Sequence, residues 1–299
     1  MKNPKYVFLL LWFFSPIAVA GIKVLACEPE WASLVQELAG EKVSVSSATT
    51  ALQNPHRIEA RPSLIARARN ADLVVCSGAD LEVGWMPLLL TQSGNGRIQP
   101  GAPGFLETSQ AVLRLEIPKV LDRSLGDVHP AGNPHVHLDP RNIAKIAVVL
   151  SERLSQIDPV NAETYKARTT AFLSRWRDAI QRWEAQSAPL KGMQVVVYHK
   201  DMSYLNEWLG LREVGSLEPR PGIPPTTAHL ADLVARMQRE PARAIIYSAY
   251  ASPQAAEFLS GRTKIPALML PYTVGGSERA TDLFGLFDDT LARLLALVK

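Results

Sequence analysis

Two α/β lobes, each built on a parallel sheet and joined by a long rigid helix, are predicted by three features of this 299-residue chain. Strand-like and helix-like runs alternate from residue 21 to about residue 104, the order that lays helices on the faces of a parallel sheet. A helical pattern then runs from Pro140 to about Gln186 with one punctuation mark, longer than a compact lobe needs. Strand–helix alternation resumes after it and continues to the end. The expected divisions are a leader at 1–20, a lobe at 21–140, a helical region with the connecting spine at 141–187, and a second lobe at 188–299.

The leader is an address rather than part of the fold. Lys2 and Lys5 precede an apolar run from Val7 to Ala20 that closes on Ala18-Val19-Ala20, a small-residue cleavage pattern. The run is short for a membrane span and is broken by Ser15-Pro16. Export to the periplasm with cleavage after Ala20 is the expectation. Val24-Leu25-Ala26-Cys27 imitates a lipoprotein box, but Lys23 interrupts the apolar stretch, and Ile22 to Ala26 reads better as a strand.

The first lobe opens with that strand. A helix follows from about Trp31 to Ala39, stopped by Gly40. A second strand begins at Val43, and a loop carries Asn54-Pro55-His56. Pro62-Ser63 starts a helix that runs to Arg69; a third strand covers 71–76, and a helix covers 81–91. Residues 94–104 are rich in Gly, Pro and Asn and read as loop. Cys27 and Cys76, the only two cysteines, each end a strand-like run. In a parallel sheet those two ends lie on the same edge. In an exported chain this favours a disulfide over a pair of thiolate metal ligands.

Asn133-Pro134-His135-Val136-His137 leads into Asp139-Pro140, where Asp suits a helix N-cap and Pro the first helical position. If the stretch before Asp139 is extended, His135 and His137 share one face. Ile143, Ile146, Ala147, Leu150, Leu154 and Ile157 then recur at spacings of three and four. Asp158-Pro159 restarts the helix, and Phe172, Trp176, Ile180 and Trp183 mark an apolar stripe whose plain reading is core packing. In the second lobe, strands are expected at 194–198, 244–247 and 267–270, with helices at 204–209, 253–259 and 283–297. A Pro-rich loop runs from Glu218 to Pro225, and Thr226 or Thr227 caps a further helix.

Net charge is +3, of which the two leader lysines carry +2. No basic block or stripe with interleaved aromatics occurs, so nucleic-acid binding has no support.

Six histidines remain: His56, His129, His135, His137, His199 and His229. Ligands of open α/β sheets gather at the carboxyl ends of strands, so His56, His135 and His199, from two lobes, can converge on one ion. Each alone has a plainer account. A loop histidine after proline is ordinarily a solvated polar group, and His199 would serve equally as a buried ring satisfied by a carbonyl. His229 lies in helical register and reads as exposed. His129, in Asp127-Val128-His129, is ambiguous.

The set has an order. Asn54-Pro55-His56 with Arg61-Pro62-Ser63, residues 71–75, Asn133-Pro134-His135 with Leu138-Asp139-Pro140, and Tyr198-His199 with Tyr204 together resemble the ZnuA-like zinc- and manganese-binding periplasmic proteins of metal-uptake ABC transporters. The resemblance covers essentially the whole chain after the leader. It implies His56, His135 and His199 as metal ligands. It also implies a non-enzymatic, monomeric zinc-binding protein that delivers Zn²⁺ to a membrane ABC permease.

Two departures accompany it. Manganese-type and several zinc-type members supply a carboxylate after the last strand, whereas Leu270 to Gly276 holds none. The fourth position is left to water, His137, Glu59 or Glu218, although the family usually has an aromatic where His137 stands. The His/Asp-rich loop of many zinc members is reduced here to Asp127 and His129. Three imidazoles with no assured carboxylate favour Zn²⁺ over Mn²⁺. The alternatives are a manganese or other divalent-metal protein of this type, an exported zinc hydrolase with Glu59 or Glu218 as base (though no H-E-x-x-H occurs), and an organic-solute binder with incidental histidines.

Overall fold

The structure, a computed structural model, describes residues 21–119, 126 and 129–298. The leader and Asp127 lie outside the described residues. In chain order the elements are β1 (Ile22–Ala26), α1 (Pro29–Ala39), β2 (Val43–Ser47), α2 (Pro62–Asn70), β3 (Leu73–Cys76), α3 (Met86–Ser93), β4 (Phe105–Glu107), α4 (Pro140–Ile157), α5 (Ala162–Ser187), β5 (Gln194–Val197), α6 (Ser203–Leu209), β6 (Arg212–Ser216), α7 (Thr227–Arg239), β7 (Ala244–Ser248), α8 (Gln254–Thr263), β8 (Ala267–Leu270) and α9 (Leu283–Leu295).

Each lobe holds a four-stranded sheet, in the order β2-β1-β3-β4 in the first and β6-β5-β7-β8 in the second. Every pairing is parallel. Strands buried on both faces need apolar residues on both sides, and the alternation divides them between cores. Val24, Ala26, Leu73 and Val75 face one way, and Leu25, Cys27, Val74 and Cys76 the other. Val195 and Val197 join the first group across the molecule, while Val196 packs with Leu233, Met237 and Leu259 in a third cluster.

The shared core is organised by α5, which packs on α1 of the first lobe and on α9 of the second. Phe172, Trp176 and Trp183 are fully buried along it. Trp176 donates its indole N–H to Pro140 O at 2.8 Å, and Trp183 donates to Asp288 Oδ1 at 2.6 Å. Arg168, farther up the same helix, donates to Glu37 O. The helix is tied to both lobes, as a rigid spine must be. Among the described residues no helix is long and apolar enough to cross a membrane.

Three expectations need correction. Each sheet has a fourth strand, β4 and β6, that the residue pattern hides: β4 is three residues long, and β6 carries Arg212, Glu213 and Gly215. The helix expected from residue 81 begins at Met86. Gly78, Ala79 and Asp80 all take positive φ there, and the Glu82 carboxylate accepts the N–H groups of Ser77 and Gly78, so the chain turns before it coils. Third, the segment before Asp139 is not extended. Val136–Leu138 forms a 3₁₀ turn, which sends His135 and His137 in different directions.

Candidate metal centre

The two Asn-Pro-His segments fold alike. Asn54 Oδ1 accepts the His56 backbone N–H, and Asn133 Oδ1 accepts that of His135, both at 3.0 Å. Such Asx turns are what Asn before a fixed-φ proline supports. Trp85 pins the first segment by donating to Pro55 O at 2.9 Å. Tyr204 pins the second from the other lobe, its hydroxyl donating to Asn133 O at 2.8 Å and accepting from Leu115 N at 3.0 Å. His199 follows β5 at its carboxyl end.

These three imidazoles meet between the lobes. Ring centres lie 5.4 Å apart for His56 and His135, 5.5 Å for His56 and His199, and 5.7 Å for His135 and His199. Each Nδ1 has its own partner: Asn54 Oδ1 at 3.0 Å for His56, Tyr272 Oη at 2.7 Å for His135, and Glu218 Oε2 at 2.7 Å for His199. An Nδ1–H donated to these oxygens fixes the tautomer in which Nε2 carries the lone pair, the arrangement that second-sphere oxygens impose on metal-binding imidazoles. The Nε2 of His135, a residue only 1% exposed, is buried without a hydrogen-bond partner. Orphaned buried nitrogens are costly, and a cation among the rings would satisfy this one.

Burial favours the neutral form of two of these rings, His56 and His135. Burial, followed by positive charge on His199 and His129, holds His56 well below the ordinary 6.5. Burial and the other imidazoles do the same for His135. Neutral imidazole is the form that binds metal. A cleft of about 290 Å³ lined by Glu116, His129, Asn133, His135 and His199 opens onto the cluster. A larger hollow of about 470 Å³, lined by Met86, Leu90 and Phe105, holds none of the histidines.

The other candidates are disposed differently. His137 is fully buried; its Nε2 lies 2.9 Å from Tyr272 O, and its Nδ1 lies 3.2 Å from Glu30 Oε1, near enough for an ion pair but out of line for a hydrogen bond. It faces the core, so the shared face expected with His135 does not form. Glu218 accepts from His199 Nδ1 and, at 2.8 Å, from Gly222 N, which makes it an orienting carboxylate. Glu59 is exposed. His229 is half-buried rather than exposed, bonded through Nε2 to Ser216 O at 2.8 Å. Cys27 and Cys76 are joined in a disulfide, leaving no thiolate for a metal and no thiol at Cys27 for a lipid.

One member was ambiguous from the residues. His129 Nε2 stands 3.2 Å from His56 Nε2, and the ligand atoms of His56, His129 and His135 lie within 4.8 Å of one another. Its only signal is position, six residues ahead of His135 and directly before a Pro-containing turn. Tyr272 was equally unmarked, since only the tertiary fold brings the segment after β8 against His135.

The manganese-binding lipoprotein MntA of Halalkalibacterium halodurans is 24% identical over 220 residues, which cover 72% of this chain and 67% of that protein. The zinc-binding lipoprotein AdcA of Streptococcus pneumoniae is 23% identical over 229 residues, 75% of this chain but 44% of AdcA, so the chain spans under half of that relative. A crystal structure of ZnuA superposes with a TM-score of 0.76 at 19% identity, covering 92% of this chain and 99% of that one; at such identity the likeness speaks to the fold. The model of the family described as "Zinc-uptake complex component A periplasmic" matches residues 24–296, and the chain belongs to that ZnuA family.

Proposed function

We propose that this chain is an exported, monomeric carrier of Zn²⁺ that captures the ion through the Nε2 atoms of His56, His135 and His199 and hands it to a membrane ABC permease. Cleavage after Ala20 and a periplasmic address belong to the same reading. The observation that carries it is the convergence of imidazoles from two lobes, each turned by a different oxygen acceptor, around a buried nitrogen with no partner. Relatives named for metal binding support it. Ligands drawn from two lobes suit capture and release, because parting the lobes removes His199 from the set.

Zinc is preferred over manganese on ligand chemistry. Imidazole is a borderline-soft donor, and affinity for such sites rises from Mn²⁺ to Zn²⁺. Cu²⁺ would bind more tightly still, so the cargo follows from supply as well as affinity. A hydrolase would need a carboxylate base facing an open coordination position, and Glu218 is committed to His199 and Gly222.

The test is titration of chelator-stripped protein with Zn²⁺ and Mn²⁺ by calorimetry, alongside elemental analysis of the protein as purified. One tightly bound zinc per chain, lost in His56→Ala, is expected. No binding of either ion, or equal zinc binding by His56→Ala, defeats the proposal.

A further inference from the structure

We infer that His129 is the fourth ligand of this site and the residue that makes it select zinc over manganese. The inference rests on the three-imidazole reading above and adds a residue to it. Four imidazoles bound at about 2.0–2.1 Å in a tetrahedron put neighbouring nitrogens roughly 3.4 Å apart and ring centres roughly 5 Å apart. His129 and His56 have their Nε2 atoms at 3.2 Å and ring centres at 5.3 Å. The ring centres of His129 and His135 are 6.4 Å apart.

The segment carrying His129 is held. Gly132 N donates to His129 O at 3.0 Å, closing a turn over Pro130, and Asn133 N donates to Leu115 O at 2.8 Å directly after it. Gly126, on the other side, lies so close to Pro221 of the second lobe that a Cβ there would sit 2.3 Å from its carbonyl oxygen. His129 and Pro221 line the same cleft, so His129 stands at the cluster near a place where the lobes touch.

Among the described residues, the oxygen donors near the cluster have partners of their own, Glu116 accepting from Asn133 and Ser203. Glu218 faces His199 and Gly222, Asp201 accepts from Ser248 and Tyr250, and Tyr272 lies against His135 Nδ1. A four-nitrogen, carboxylate-free shell of low coordination number suits Zn²⁺ and fails Mn²⁺, which favours oxygen donors and six-coordination. With water in the fourth position the shell would keep an oxygen and room to expand, so replacing that water with His129 sharpens the discrimination.

The experiment compares the full chain with His56→Ala, His129→Ala and His129→Asp, each stripped of metal and titrated with Zn²⁺ and with Mn²⁺. X-ray absorption at the zinc edge should count four imidazoles in the native protein and three in His129→Ala. Zinc affinity should fall on the order of 10- to 100-fold in His129→Ala, with manganese affinity changing far less, and His129→Asp should shift the preference toward manganese. Coincident melting curves of the metal-free native and His129→Ala chains separate ligand loss from misfolding. Native zinc affinity in His129→Ala beside a failed His56→Ala overturns the fourth ligand and leaves the three-imidazole site standing. Equal losses for both ions overturn the selectivity. If His56→Ala also binds zinc normally, the underlying reading falls first.

Discussion

The two sheets are one four-strand arrangement used twice, yet their carboxyl edges are finished in opposite ways. Ala26 pairs with Val75 in the first sheet, and Val197 pairs with Ile246 in the second. Cys27-Glu28 therefore stand where Tyr198-His199 stand, and Cys76-Ser77 where Tyr247-Ser248 stand. Each serine serves a buried carboxylate: Ser77 donates to Glu28, and Ser248 to Asp201. In the first lobe the edge is shut by the disulfide and by the acid pair Glu28 and Glu82. Burial raises both, Glu82 to about 8 and Glu28 well above its usual range with the Glu82 charge adding to it. In the second lobe the same position offers an imidazole to the cleft. Topology decides where a side chain arrives; the residue type decides whether that place is a closed wall or a cleft lining.

Breaking the two edges should have opposite consequences. His199→Ala should lower zinc affinity at least about 100-fold, near 3 kcal/mol, with little change in melting temperature. The double change Cys27→Ala with Cys76→Ala opens a crosslink of sequence separation 49. It should lower stability by about 4 kcal/mol in the chain-entropy account, measured by denaturant unfolding, while zinc affinity stays close to native. Affinity falling in step with stability would mean that the first edge does more than brace the lobe.

Glu218→Ala should weaken zinc binding by roughly 10- to 100-fold, because it leaves His199 without its orienting acceptor. Glu218→Gln, which keeps an acceptor oxygen, should lose less. Calorimetry on the pair separates orientation from charge.

The pH dependence of the metal-free protein sharpens the contrast further. His56 and His135 sit below 6.5 in the folded chain. As pH falls beneath 6.5 the unfolded state takes up protons that the folded state still refuses, so stability drops until the folded values are passed. Glu28 and Glu82 are raised from 4.5. Between 4.5 and about 8 the folded state holds a Glu82 proton that the unfolded chain has released, and the raised Glu28 acts in the same direction, so their contribution drops as pH rises above 4.5. Melting curves of native protein and Glu28→Gln across the range should show the alkaline fall flattened in the variant and the acid fall unchanged. The smallest effect belongs to His229→Ala: unchanged zinc affinity, and about 1 kcal/mol of stability from the lost bond to Ser216 O.

Much of this was legible because it is local. Asp139 caps α4 by accepting from Arg141 N, and Thr226 caps α7 by accepting from His229 N. The repeated Asn-Pro-His marked two turns with the same internal bond. The strands β4 and β6 were illegible because short or polar-interrupted runs become strands only when a neighbour offers a ladder. His135 and His137 show the limit most plainly, since the direction of each ring depends on a turn of one residue's φ and ψ.

Residue order determined the two α/β units and the spine between them, favoured the Cys27–Cys76 pair, and through its family resemblance pointed to the three histidines that meet. These follow from period, punctuation and ordered motifs carried within short stretches of chain. Tertiary structure alone decided that His137 turns to Glu30 while His129 comes beside His56, and that Glu218 and Tyr272 lie against the Nδ1 atoms of His199 and His135. Such choices depend on groups far apart in the chain, brought within 3 Å or so only after the lobes close on the spine.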